Sequence, residues 1–137
     1  MKNLRKLNKT ATETFMALID GLSEPGVCRT FDKHDYLPKR DGGIMSVHVD
    51  CIGKNRYSVA HYFEQNGDLM SDPQMTFWVC DGNVYPCSYT LHSMGIFQNS
   101  IIFDENENSK SFRKGQQHSQ AEFVNGWMEN IKDQQEL

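Results

Sequence analysis

The stretch IMSVHVDCIGKNRYSVAHYFE, residues 44–64, decides the fold. Apolar and polar residues alternate in its first half, Met45, Val47, Val49 and Cys51 against Ser46, His48 and Asp50, and its second half alternates in the same way from Tyr57 to Phe63. A period of two is typical of strands with one buried face. The apolar faces coincide only if Val49 lies opposite Val59 and Val47 opposite His61, because a one-residue slip turns one set toward water. The segment therefore predicts an antiparallel hairpin that turns at IGKNR.

Helical periodicity is found on both sides of the strand region. Apolar residues recur at three- and four-residue steps near the start, at Leu4, Leu7, Ala11, Phe15, Leu18 and Leu22, and again near the end, at Ala121, Val124, Trp127, Met128 and Ile131. Each set occupies one face of a helix. Thr10 with Glu13 and Ser119 with Glu122 have the spacing of capping boxes. These pairs predict that the first helix is firm from about Ala11 and that the second opens at Ser119.

Further strands follow the hairpin. MTFWVC at 75–80 and VYPCSYTL at 84–91 flank Asp81-Gly82-Asn83, a tight-turn sequence in which glycine accepts a positive φ. Pro86 cannot donate to a ladder, so its strand is expected to be an edge strand or to be bulged there. GIFQNSIIF at 95–103 predicts one more strand.

Residues 104–118 are almost wholly polar, and we expect them to form a mobile loop that can be removed. The order of elements predicts an α+β fold with an N-terminal helix, an antiparallel sheet of about five or six strands and a C-terminal helix, in two layers. We expect residues 1–137 to form a single domain. Val47, Val49, Val59, Phe77, Val124 and Trp127 should share its core.

Composition excludes some classes of function. The formal charge is −4, from 14 basic and 18 acidic residues, which supplies no general attraction to phosphate backbones and disfavours a nucleic-acid partner. No apolar run has the length of a signal peptide or a membrane span, so a cytoplasmic protein without a membrane partner is expected. The four cysteines lack C-x-x-C spacing and are expected to be reduced and mostly buried.

The segment HYFEQNGDLMSDPQM, residues 61–75, is the densest in polar groups, and it has two interpretations. Asn-Gly and Asp-Pro are turn formers, so the segment can be a strand followed by a structured connection, in which Asp72 accepts backbone hydrogen bonds and Asn66 or Gly67 has a positive φ. Alternatively, His61, Glu64, Asp68 and Asp72 converge on a metal or a substrate, and the acids raise the pKa of His61.

The second interpretation is the weaker one. Alternation places His61 and Glu64 on opposite faces of their strand, and the sequence contains no H-E-x-x-H or EF-hand spacing. We therefore predict no catalytic residue, no metal and no cofactor. A lone histidine in an apolar strand face is more often a hydrogen-bonded core residue.

Aromatic residues offer another kind of function. Tyr62, Trp78, Tyr85 and Tyr89 lie in adjacent predicted strands, and a sheet face that exposes them could anchor a protein partner. Whether Trp78 and Tyr62 lie on the helix-covered face or on the open face decides between core and interface.

Part of the sequence resembles a known pattern. His61, Tyr62, Asn66-Gly67-Asp68 and Asp72-Pro73, followed by Pro86, Tyr89, Gly95 and Gln98, resemble a small domain-of-unknown-function family carried by bacteria, phages and other mobile elements. The resemblance covers roughly residues 44–100 and implies no mechanism. The sequence thus predicts a small binding or accessory protein, with a metal-dependent or acid/base enzyme centred on His61 and Asp68 as the alternative. The candidate binding residues are His61, Tyr62, Glu64, Asn66, Asp68, Asp72, Trp78 and Tyr89.

Overall fold

A computed structural model of the chain describes the backbone of residues 3–31, 46–65 and 68–137, and the side chains of these residues except 62–65 and 68–72. Its fold is α+β, as predicted. The elements are α1 (Lys9–Ile19), β1 (Cys28–Phe31), β2 (Val47–Gly53), β3 (Arg56–Gln65), β4 (Asp68–Cys80), β5 (Asn83–Leu91), a short 3-10 helix (His92–Met94), β6 (Ile96–Asn99), β7 (Ile101–Phe103), β8 (Ser109–Phe112) and α2 (Lys114–Gln134).

Strands β1 to β6 form one antiparallel sheet in which each strand pairs with the next in sequence. The predicted register of the first long hairpin is confirmed, since Val49 lies opposite Val59 and Val47 opposite His61. The β4–β5 turn also agrees with the sequence, because Gly82 has a φ of +76°. Burial of one face therefore sets the register, as the alternation requires.

Both helices pack on the same face of the sheet. The six residues predicted to share the core, Val47, Val49, Val59, Phe77, Val124 and Trp127, are buried in one cluster. Phe15 of α1 lies at the centre of that cluster, with its ring 4.8 Å from Phe77 and 6.1 Å from Tyr57. The result is the two-layer arrangement that the apolar periodicities indicate.

Both helix starts differ from the prediction. Helix α1 begins at Lys9, where the side chain of Asn8 accepts a hydrogen bond from the Ala11 N–H at 2.8 Å, so Thr10 is not the cap. Helix α2 begins at Lys114, five residues before Ser119. The residue before the helix, Arg113, has no side-chain cap hydrogen bond. Its backbone N–H donates to the Ser100 carbonyl at 2.7 Å, and this contact positions the start of α2 where a capping box was expected to do so.

The prolines of β4 and β5 both lie at irregular places in the ladder. The predicted bulge near Pro86 is confirmed, since the register shifts between Thr76 and Phe77, although β5 is an internal strand. The structured connection predicted for residues 61–75 is wrong. Residues 68–74 belong to β4, and Asp72-Pro73 lies where the register with β3 shifts, because proline cannot donate to the ladder. The expected geometry of Asn66 and Gly67 lies outside the described residues.

The predicted strand 95–103 is two strands separated by Ser100. Strand β7 leaves the main sheet and pairs with β8 in a hairpin, so residues 104–118 are not simply a loop but contain β8 and the first turn of α2. The Asp104 carboxylate organises the hairpin turn by accepting from the N–H groups of Asn106 and Asn108 at 2.8 and 3.0 Å. Polar composition misled the prediction because both strands of this hairpin are short and β8 is exposed.

The β7–β8 hairpin covers part of the sheet face opposite the helices. A second buried cluster forms there, around Tyr85, Cys87 and Ile101. Trp78 joins it with its ring 5.6 Å from Phe103. In the part of the chain that the structure describes, neither helix is long and apolar enough to cross a membrane.

Candidate functional site at the β6 edge

The main sheet has two edge strands among the described residues, β1 and β6, and the outer edge of β6 is the candidate for accepting a partner strand. Strand β6 pairs with β5 on one side, and no described strand pairs with it on the other. The Ser100 N–H donates to the Cys87 carbonyl at 2.7 Å. Because hydrogen-bonding direction alternates along an antiparallel strand, Ile96 and Gln98 direct their backbone groups toward β5, whereas Phe97 and Asn99 direct theirs outward.

Large apolar side chains are exposed beside this edge. Phe97 is 67% exposed, and Met94, three residues earlier, is 68% exposed. Gln98 pairs with Tyr89, which packs against the helix-covered core, so Phe97 lies on the opposite face of β6. Phe123 of α2, 42% exposed, lies on the helix side. The edge is thus flanked by apolar surface on both faces.

The segment around β6 is free of full charges. Residues 82–103 contain no Asp, Glu, Lys or Arg, although these make up 23% of the chain. Edge strands are usually kept from pairing by charged side chains, proline or a bulge. Ile96–Asn99 has none of these devices. An edge strand without charge, proline or a bulge is open to pairing with another chain.

A groove runs beside β6 on the helix side. Its volume is about 160 Å³, and its lining consists of Tyr89, Gln98, Ser119, Gln120 and Phe123. Gln120 is buried, and its Oε1 accepts from the Ser100 hydroxyl at 2.6 Å, while its Nε2 has no hydrogen-bond partner among the described residues. The groove has room for one side chain of an added strand.

A row of rings connects this groove to the core. Tyr89 lies 5.5 Å from Phe123, Phe123 lies 5.8 Å from Trp127, and Trp127 lies 5.4 Å from His61. Edge-to-face and tilted contacts at these distances are stabilising. The row packs Tyr89 and Phe123, which line the groove, against the core.

His61 is a core residue. Its side chain is 6% exposed, and its Nδ1–H donates to the Ser46 carbonyl at 3.2 Å. Burial lowers the pKa of His61, the hydrogen bond to Ser46 opposes that change, and the nearby His48 adds to it. The direction is opposite to the raised pKa that the acid/base interpretation requires.

The other predicted site residues do not form one described cluster. Trp78 lies under the β7–β8 hairpin, on the face away from the helices, whereas Tyr89 lies at the groove on the helix side. The ladder aligns Tyr62 with Ser71 and Glu64 with Leu69, and it pairs Asp68 with Gln65. The side chains of Tyr62, Glu64, Asp68 and Asp72, and all of Asn66, lie outside the described residues. Among the described side chains, no three His, Cys, Asp or Glu residues are placed to hold a metal ion.

A larger cleft of about 510 Å³ lies where three hairpin turns meet, between Lys54, Asp81 and Glu107. Its lining is mostly polar, and Asn55 and Asp81 have positive φ there as turn residues. We therefore assign the candidate site to the β6 edge. The absence of charged residues from 82–103 is a sequence feature that marks this site. Strand alternation alone does not show which strand lies at the edge of the sheet.

Together these features define an α+β fold with an edge strand, β6, that lies in an uncharged stretch and pairs with one described strand only. Residues 25–137 match the model of a domain of unknown function, DUF6908, and the chain belongs to that family. No curated protein and no solved structure matches the chain. Membership of this family assigns the chain to a domain family but to no specific role.

Proposed function

We propose that this chain is a small binding or accessory protein that recognises a protein partner by pairing β6 with an extended strand of that partner. The observation that carries the proposal is the open edge of β6 with Phe97 exposed beside it. Backbone hydrogen bonds from Phe97 and Asn99 would supply affinity, and alternate side chains of the added strand would supply specificity.

The surroundings of the edge suit a protein better than other partners. Burial of Phe97 against a partner would remove apolar surface from water, which is favourable. The groove beside Gln98 would receive a side chain on the helix side of the added strand. The net charge of −4 and the uncharged edge offer nothing to the phosphates of a nucleic acid.

No catalytic residue, metal or cofactor is part of this proposal. The alternative of a metal-dependent or acid/base enzyme centred on His61 and Asp68 gains no support from His61, whose ring is buried and whose pKa is lowered. A neutral, buried imidazole that donates to a carbonyl is typical of a structural residue.

We also propose that the protein is cytoplasmic and is encoded by a mobile element. The support is the pattern from His61 to Asp72-Pro73, which resembles a family carried by phages and other mobile elements.

Affinity capture with matched variants tests the proposal. The immobilised full chain is exposed to a lysate of cells that carry its gene, beside Phe97→Ser and the control Phe112→Ser, which alters a phenylalanine exposed by 41% on β8. A protein retained by the wild type and by Phe112→Ser but lost with Phe97→Ser is expected. Retention of the same proteins by all three forms contradicts recognition at β6.

A further inference from the structure

The symmetry and charge of the β6 edge point to one partner. We infer that this partner is a second copy of the chain, and that two copies join through antiparallel pairing of β6 with β6 across a two-fold axis. The inference rests on the proposed function, since it names the strand that β6 accepts. It turns two six-stranded sheets into one continuous sheet.

Charge favours this occupant. Each copy carries a net charge of −4, so two copies repel each other wherever they meet through acidic surface. The stretch 82–103 contains no charged side chain, and it includes β6 and the whole of β5. Pairing of β6 with β6 therefore brings no charged side chain of β5 or β6 against the second copy.

The faces of β6 restrict the register of the pairing, and we place the two-fold axis at Gln98. Paired residues of two strands project to the same face of the sheet, so Phe97 must lie opposite an odd-numbered residue of the second copy. Centring the axis on Gln98 places Phe97 of each copy opposite Asn99 of the other. These are the two residues whose backbone groups point outward, so both pairs become hydrogen-bonded pairs.

The side chains match in the same register. Gln98 of one copy faces Gln98 of the other, and an amide is self-complementary because it donates and accepts. On the other face, the two Phe97 residues become diagonal neighbours, about 7–8 Å apart and within reach of aromatic contact. The same patch meets itself, as an isologous interface requires.

Sedimentation of the full chain tests the inference. The wild type, Phe97→Glu, Phe97→Lys and the control Phe112→Glu are compared from about 1 µM to about 500 µM, because dimer population rises with concentration by mass action. We expect a concentration-dependent dimer for the wild type and Phe112→Glu. Phe97→Glu and Phe97→Lys should each be monomeric at every concentration, since like charges then face each other across the axis.

An equimolar mixture of Phe97→Glu and Phe97→Lys gives the sharpest result. Opposite charges become diagonal neighbours only if the two Phe97 sites meet, so the mixture should recover the dimer. Circular dichroism confirms that the variants are folded, and Asn99→Glu and Asn99→Lys replace them if they are not.

Two results overturn the inference. One is a wild type that stays monomeric at the highest concentration, and the other is a dimer that Phe97→Glu leaves intact. Neither result bears on capture of a different protein at β6, so failure of the second-copy inference is distinguishable from failure of the proposed function.

Discussion

The side-chain amide of Gln117 holds the backbone of Arg5 by two hydrogen bonds. Its Oε1 accepts from the Arg5 N–H at 2.7 Å, and its Nε2 donates to the Arg5 carbonyl at 2.7 Å. Gln117 is fully buried in the first turn of α2, and Arg5 precedes α1. The pair ties the two ends of the chain together and so helps to position both helices on the sheet.

Replacing Gln117 by Leu should therefore destabilise the fold. The change leaves the N–H and the carbonyl of Arg5 without these partners, at a cost of roughly 1 to 3 kcal/mol. Urea denaturation measures the free energy of unfolding. The control is Gln134→Leu at the half-buried end of α2, where the change should be small. Equal effects of the two substitutions would contradict a specific role for the Gln117 amide.

Val49→Asp should abolish folding. Val49 is fully buried opposite Val59, and an unpaired carboxylate there would be removed from water without compensation. Val27→Asp, at a residue that is 42% exposed, is the matched control and should stay folded. Circular dichroism distinguishes the outcomes. A folded Val49→Asp protein would show that the helices do not seal this face of the sheet.

His61 should make stability fall in acid. Burial lowers its pKa in the folded state below the ordinary value of 6.5, so the unfolded state binds the proton more readily. Neutral His61 contributes to the free energy of unfolding above about pH 6.5, and this contribution is lost as pH falls toward the folded-state pKa. The free energy of unfolding then changes by at most about 1.4 kcal/mol per pH unit for one proton.

Unfolding free energies between neutral pH and about pH 5 measure this slope, in a range set by the ordinary pKa of histidine. His61→Leu should lower stability at neutral pH but flatten the slope. If His61→Leu keeps the full slope, another group governs the acid dependence.

Divalent ions test the enzyme alternative. An ion that binds only the native state raises the melting temperature by mass action. We expect no rise in the melting temperature with millimolar Mg²⁺, Mn²⁺, Ca²⁺ or Zn²⁺. A rise that disappears in both His61→Ala and Asp68→Asn would establish a metal site at the β3–β4 hairpin and contradict a purely structural His61.

The sheet register could be predicted because it depends on local alternation. Val49 and Val59 must both face the helices, and one register alone achieves this. The helix starts could not be predicted in the same way. Ser119 and Glu122 have the right spacing for a capping box, but α2 begins five residues earlier, at Lys114. Two contacts favour the earlier start: the side chain of Gln117 is buried, and the Arg113 N–H donates to the Ser100 carbonyl. Such contacts join residues far apart in sequence.

The candidate site illustrates the same limit. Tyr89 was predicted as a binding residue from its aromatic character, and it lines the groove beside β6. Trp78 was predicted for the same reason, but the β7–β8 hairpin packs over it, and the formation of that hairpin depends on a pairing that the polar segment 104–118 does not suggest. Phe97 was not predicted, because its exposure depends on β6 lying at the edge of the sheet.

Amide hydrogen exchange in dilute protein tests the open β6 edge most directly, since both the proposed function and the second-copy inference depend on it. The backbone amides of Ile96 and Gln98 face β5 and should exchange slowly, whereas those of Phe97 and Asn99 face outward and should exchange rapidly. Slow exchange at Phe97 and Asn99 in the dilute monomer would show that the edge is already covered, and would contradict the account.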